Sequence, residues 1–167
     1  HFHGWHDHMA FGVAGHFDGT ATPGVLPEVA AQVVLLDPDN IDGVAQALEA
    51  DSDIAALILE PTGGSGGMIP LAPGFVAQLR ELTEQHGVLL IMDEVVTGFR
   101  VHPGGAQGLL DVKPDLTTLA KILAGGLPGG AVVGRADILA HLDFKAAADK
   151  DFEKIHHPGT FNGNPLS

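Results

Sequence analysis

The sequence predicts an α/β fold: three layers, with a mostly parallel sheet and helices on both of its faces. Short apolar runs of strand length alternate with stretches whose apolar residues recur at helical spacing. The clearest run, residues 88–92, is apolar at every position, as expected of a strand buried on both faces of a parallel sheet. It ends in the acidic pair Asp93 and Glu94, at the carboxyl edge where open α/β sheets place their ligands.

Taken in order, residues 32–36 form an apolar run expected to be a strand, closed by the turn-forming Asp37, Pro38, Asp39 and Asn40. Ile41, Val44, Ala45 and Leu48 then mark a helix face. Residues 54–59 read as a second buried strand that stops at Glu60 and Pro61, because proline removes a ladder donor. The run 63–67, Gly-Gly-Ser-Gly-Gly, lacks the Gly-Lys-Ser/Thr ending of a nucleotide cradle and is expected to be a mobile loop at the site's edge. Pro73 opens a helix with Phe75, Leu79, Leu82 and His86 on one face, and Gly87 ends it. After the strand to Asp93, residues 116–119 and 131–133 are two further short strands flanking Lys121 and its glycines. No repeat, low-complexity tract or linker interrupts the pattern.

Composition narrows the function. A net charge of −13, with only eight lysines and arginines, argues against nucleic acid, whose phosphates need clustered cations. The absence of cysteine excludes disulfides and thiolate metal sites. No apolar run approaches the roughly 20 residues that span a bilayer, no signal peptide is visible, and a cytoplasmic location is expected. His1, His3, His6 and His8 crowd the first residues, but with one nearby acid, Asp7, and no zinc-like spacing no metal is expected there.

Asp93 and Lys121, twenty-eight positions apart, suggest a cofactor that needs an amine to anchor an aldehyde and an anion to hold a pyridine nitrogen protonated, as pyridoxal phosphate does. Four words surround them: Leu-Ile-Leu-Glu-Pro-Thr-Gly-Gly (57–64), Ile-Met-Asp-Glu-Val-Val-Thr-Gly-Phe-Arg (91–100), Thr-Leu-Ala-Lys-Ile-Leu-Ala-Gly-Gly-Leu-Pro-Gly-Gly-Ala (118–131) and Gly-Thr-Phe-Asn-Gly-Asn-Pro-Leu (159–166). In order and spacing these resemble the class-III aminotransferases of the fold-type-I pyridoxal phosphate enzymes, most closely the branch that includes glutamate-1-semialdehyde 2,1-aminomutase. The resemblance extends from the word Phe-His-Gly-Trp-His-Asp (2–7) over essentially the whole chain. Members of that family are more than twice as long. The resemblance therefore implies an incomplete large, cofactor-binding domain over 1–167, without an N-terminal segment and the small C-terminal domain.

The resemblance implies a role for each candidate. Lys121 would form the Schiff base; its apolar neighbours Leu119, Ala120, Ile122 and Leu123 lead us to expect a partly buried amine of depressed pKa. An ordinary surface lysine is the competing reading. Asp93, otherwise a helix cap or turn former at a strand end, would face the pyridine nitrogen. Val95 and Phe2 would pack on opposite faces of the ring, with His3 in the same word, though a valine or phenylalanine is more often plain core. Glu60 would be an acid lining the site near Asp93, against a carboxylate merely satisfied by local backbone amides. Relatives acting on two dicarboxylic substrates commonly carry a gating glutamate where this chain has Ser65, which favours the aminomutase-like branch. Thr160 would reach the phosphate of a neighbouring subunit's cofactor, giving a homodimer with shared sites; a turn hydroxyl is its alternative. The expected chemistry is amino-group transfer between small molecules, by an aminotransferase or an aminomutase. The competing expectations are a remnant without activity and a decarboxylase or racemase on the same fold.

Overall fold

A computed structural model describes residues 1–9, 20–64, 67–150, 153–159 and 162–166. The chain divides into two units, His1–Asp93 and Glu94–Ser167.

In the first unit a single turn, α1 (Pro27–Ala30), starts on proline, whose fixed φ suits the first helical position. Helix α2 (Ile41–Ala50) is capped by Asn40, whose side-chain oxygen accepts from the Gly43 N–H at 3.0 Å, and it buries Val44 and Leu48, one turn apart. Strand β1 (Ala56–Leu59) follows, then a two-stranded antiparallel hairpin, β2 (Thr62–Gly63) with β3 (Ile69–Pro70). Helix α3 (Phe75–His86) leads into β4 (Leu89–Asp93). Strands β1 and β4 pair in parallel, Ala56 opposite Leu89 and Leu59 opposite Met92. A parallel pair needs a crossover of a dozen or more residues, and α3 supplies it.

Helix α3 packs against both α2 and β4. Its buried face is Phe75, Val76, Leu79 and Thr83, and in β4 both Leu90 and Met92 are fully buried. Each such apolar side chain stabilises the unit by about 1.5–3 kcal/mol relative to exposure. The Thr83 hydroxyl avoids a desolvation penalty by donating to the Leu79 carbonyl at 2.8 Å. Gly87, at φ 69°, turns the chain out of the helix, and the Val88 N–H donates back to the Thr83 carbonyl at 2.8 Å. That is the Schellman arrangement, and it delivers the chain straight into β4.

Several expectations need correction. Residues 32–36 do not form a strand; none of the described strands pairs with them, and without a ladder the apolar Val34, Leu35 and Leu36 stay exposed. Pro73 precedes α3 rather than opening it, since Gly74 takes the cap position with a left-handed φ of 84°. His86 is exposed and Leu82 only half-buried, so the packed face rotates toward Val76 and Thr83. Of the glycine-rich run expected to be a loop, Gly63 instead pairs with Ile69 in the β2–β3 ladder, Gly64 and Gly67 are turn, and Ser65 and Gly66 lie outside the described residues.

The second unit holds helix α4 (Gly105–Leu110), strand β5 (Leu116–Leu119), a 3-10 turn over Lys121–Ala124, strand β6 (Ala131–Gly134), and helices α5 (Ala136–Leu139) and α6 (Phe144–Lys150). Strand β6 runs antiparallel to β5, Leu116 opposite Gly134 and Leu119 opposite Ala131. The connection holds one short turn and no crossover helix, which suits an antiparallel return. Arg135 ties β6 to the approach to β5, donating to Asp115 at 3.0 Å and to Asp137 at 2.6 Å. The hydrogen bond from Arg135 holds the Asp137 carboxyl below the ordinary range. Among the described residues no helix is long and apolar enough to cross a membrane.

Candidate active site

The ends of β1 and β4 build the centre of the first unit. Glu60 directly follows β1 and Asp93 closes β4, and both are buried because these strand ends are covered by the residues that open the chain. The His3 ring contributes Nδ1 to Asp93 Oδ2 at 2.9 Å. A carboxylate only accepts, so the pair is satisfied by the His3 tautomer carrying its proton on Nδ1. Glu60 accepts the Phe2 N–H at 2.7 Å on one oxygen and the Gly64 N–H at 3.1 Å on the other. The Phe2 ring is 49% exposed.

Four of the expected residues, Phe2, His3, Glu60 and Asp93, are thus brought together. The structure gives two of them duties that the sequence did not suggest. Glu60 gives one oxygen to the local Gly64 amide, its bland alternative, but the other to the distant Phe2 amide, and His3 engages Asp93.

In the second unit Lys121 is the first residue of its 3-10 turn and carries a φ of 50°. A left-handed backbone is uncommon outside glycine, asparagine and aspartate, costs on the order of 1–3 kcal/mol, and collects at functional positions. The expectation of a partly buried amine is not met. Lys121 is exposed, and so are Ile122 and Leu123, because the short turn lifts all three away from the unit's core. Its amine makes no hydrogen bond or ion pair among the described residues. Val95 is half-buried in the turn after β4. Thr160 lies outside the described residues.

The sequence reading gave Glu94 no task beyond keeping Asp93 company, yet it is only 1% exposed and accepts four hydrogen bonds. It accepts from the Thr97 hydroxyl at 2.9 Å, from the Ala106 N–H, and from both the backbone and side-chain nitrogens of Gln107 at 3.0 Å. The Gln107 amide continues to the Thr117 hydroxyl on β5 at 3.0 Å. Gly105 makes this possible: at φ 70° it tolerates the turn, and a Cβ there would collide with the Glu94 carboxylate. The local spacing Glu94 to Thr97 was a readable signal; the link to Ala106 and Gln107 was not, because nothing in sequence pairs positions that far apart.

The chain is thus an α/β protein whose strand ends present buried acids and whose second unit offers a strained lysine ahead of a glycine-rich stretch. It belongs to the class-III aminotransferases, whose family model matches residues 22–167. It is 45% identical over 148 residues to a glutamate-1-semialdehyde 2,1-aminomutase of Bordetella avium, covering 88% of this chain and 33% of that protein. Among solved structures it matches an omega-transaminase from Sphaerobacter thermophilus with a TM-score of 0.83 and 36% identity, over 99% of this chain and 39% of the other. A transaminase structure with PLP bound matches with a TM-score of 0.84 and 29% identity, over the same shares. The chain spans about a third of the length of the aminomutase it matches. Its α/β class, with a parallel strand pair and helices in the first unit and an antiparallel pair and helices in the second, is that of these transaminases.

Proposed function

We propose that this chain serves pyridoxal-phosphate-dependent amino-group transfer, as part of an aminotransferase or an intramolecular aminomutase acting on small molecules. The observation that carries the reading is Lys121: an exposed, backbone-strained lysine whose amine makes no hydrogen bond or ion pair among the described residues, inside the glycine-rich word of a family to which the chain belongs. The donor set fits the cofactor. One amine suits an aldehyde, and one buried carboxylate held by an imidazole suits a protonated pyridine nitrogen.

In this reading Lys121 is the covalent anchor, and once released its amine is the base that takes the proton from the substrate's Cα. Asp93 faces the ring nitrogen as an anion. Phe2 and Val95 pack on the ring's two faces, and Glu60 and His3 secure the segment beside them. Bound pyridoxal phosphate supplies the electron sink for the charge left at Cα. Thr160 reaches the cofactor phosphate of a partner subunit, so the working unit is a homodimer. Support for the mutase branch comes from the aminomutase relatives, and for the transaminase branch from the structural neighbours.

The test is reduction of the cofactor-loaded full-length protein with borohydride, followed by peptide mapping. The pyridoxyl mass is expected on Lys121. Its appearance on Lys113, Lys145 or any other lysine would end the assignment.

A further inference from the structure

The dipeptide Phe2-His3 is gripped by two carboxylates that stand side by side. Leu59 and Met92 are register partners in the parallel pair, so the residues that follow them, Glu60 and Asp93, occupy neighbouring strand ends. Glu60 takes the Phe2 backbone N–H at 2.7 Å and Asp93 takes the His3 imidazole at 2.9 Å. The remaining Glu60 oxygen holds the Gly64 N–H at 3.1 Å, and the Glu60 N–H donates to His1 Nδ1 at 3.0 Å. A Cβ on Gly64 would stand 2.8 Å from that oxygen, so the β2 hairpin approaches the carboxylate as closely as a glycine permits. Glu60 itself is 4% exposed.

We infer that Glu60 is a positioning residue and not a contact of the cofactor. Its two oxygens splice the Phe2-His3 segment to the hairpin, and the fixed segment lets His3 hold the Asp93 carboxylate in one rotamer. The physical ground is the count of donors. Both Glu60 oxygens receive a backbone N–H, and such charge-assisted bonds are the strong ones. A glutamine at this place keeps the shape but has one oxygen, so its amide NH2 must meet the second backbone N–H, donor against donor, in a site closed to water. The inference rests on the reading of Asp93 as the partner of the pyridine nitrogen.

The experiment uses the full-length protein, first without cofactor and then titrated with pyridoxal phosphate. In Glu60→Gln without cofactor, amide hydrogen exchange at Phe2 or Gly64 should accelerate, and the nitrogen resonances of His3, which Glu60 does not touch, should shift. The cofactor dissociation constant should rise about tenfold or more, the loss expected for one charge-assisted hydrogen bond. His3→Gln should weaken binding comparably while leaving Gly64 protected, and the double variant should be no worse than the weaker single one, since both break one chain of contacts. Unchanged His3 resonances and affinity in Glu60→Gln, or additive losses in the double variant, would overturn the inference. Should Glu60→Gln fail to fold, His3→Gln alone decides: unchanged cofactor affinity overturns the chain of contacts, weakened affinity with Gly64 still protected supports it. A parent protein that shows the His3 and amide signatures without cofactor, yet binds no pyridoxal phosphate, would sink the proposed function and leave the splice standing.

Discussion

Asp93 and Glu94 are adjacent carboxylates, and their surroundings give them separate work. Glu94 is saturated by donors from Thr97, Ala106 and Gln107, so it fixes the chain after β4 and has nothing left to offer a ligand. Asp93 ends the strand and receives an imidazole at 2.9 Å, an arrangement that orients a carboxylate. On the proposed function, replacing Asp93 with asparagine in the full-length protein should leave the cofactor bound while slowing Cα proton abstraction by several orders of magnitude. An amide cannot hold the ring nitrogen protonated, and the loss is on the order of 4 kcal/mol or more, at about 1.4 kcal/mol per factor of ten. Single-turnover rates decide it; a near-normal rate would place the electron-sink role on another residue.

The β1–α3–β4 element carries the first unit, and most of it was legible. Unbroken apolar runs announced β1 and β4, and Gly87 announced the end of α3, because a glycine in the left-handed region is what a Schellman turn needs. Two kinds of information were hidden. The run at 32–36 has strand composition, but composition is silent on whether a partner strand exists, and here none of the described strands provides one. The burial of Lys121 was inferred from its apolar neighbours, but Leu119 and Ala120 are only half-buried and Ile122 and Leu123 are exposed, since sequence adjacency does not report which way a turn faces. Of the candidate site, motifs single out Asp93 and Lys121, whose roles stand as proposals; the engagements of Glu60 and Glu94 with distant backbone amides were not legible. Leu79 tests the element's packing. It lies in the face of α3 that meets α2 and β4 and is 2% exposed, so Leu79→Ala should destabilise the protein by about 2–5 kcal/mol. Urea denaturation followed by far-ultraviolet dichroism measures this, and a loss below about 1 kcal/mol would mean that the helix is not packed as described.

At the scale of the whole molecule the exposed apolar residues of the second unit matter most. Ile122, Leu123, Leu127, Val132 and Val133 are all exposed, and they follow Lys121 within a dozen positions in sequence. An amine that is to exchange protons with a Cα in preference to water needs cover, and these residues do not give it from within the unit. In the homodimer proposed above, the partner would supply that cover and Thr160 of each copy would reach the other copy's cofactor phosphate. Two binding equilibria that share a site share a free-energy balance: cofactor that prefers the dimer must tighten the dimer by the same factor. Sedimentation of the full-length protein across a range of concentrations should therefore show a two-fold dimer whose dissociation moves to lower concentration when pyridoxal phosphate is added. Thr160→Ala should weaken cofactor binding and, through the same linkage, shrink that cofactor-dependent shift while leaving the cofactor-free association unchanged. A monomer that binds the cofactor tightly at every concentration would contradict the shared site, and the cover for Lys121 would then have to come from the same polypeptide.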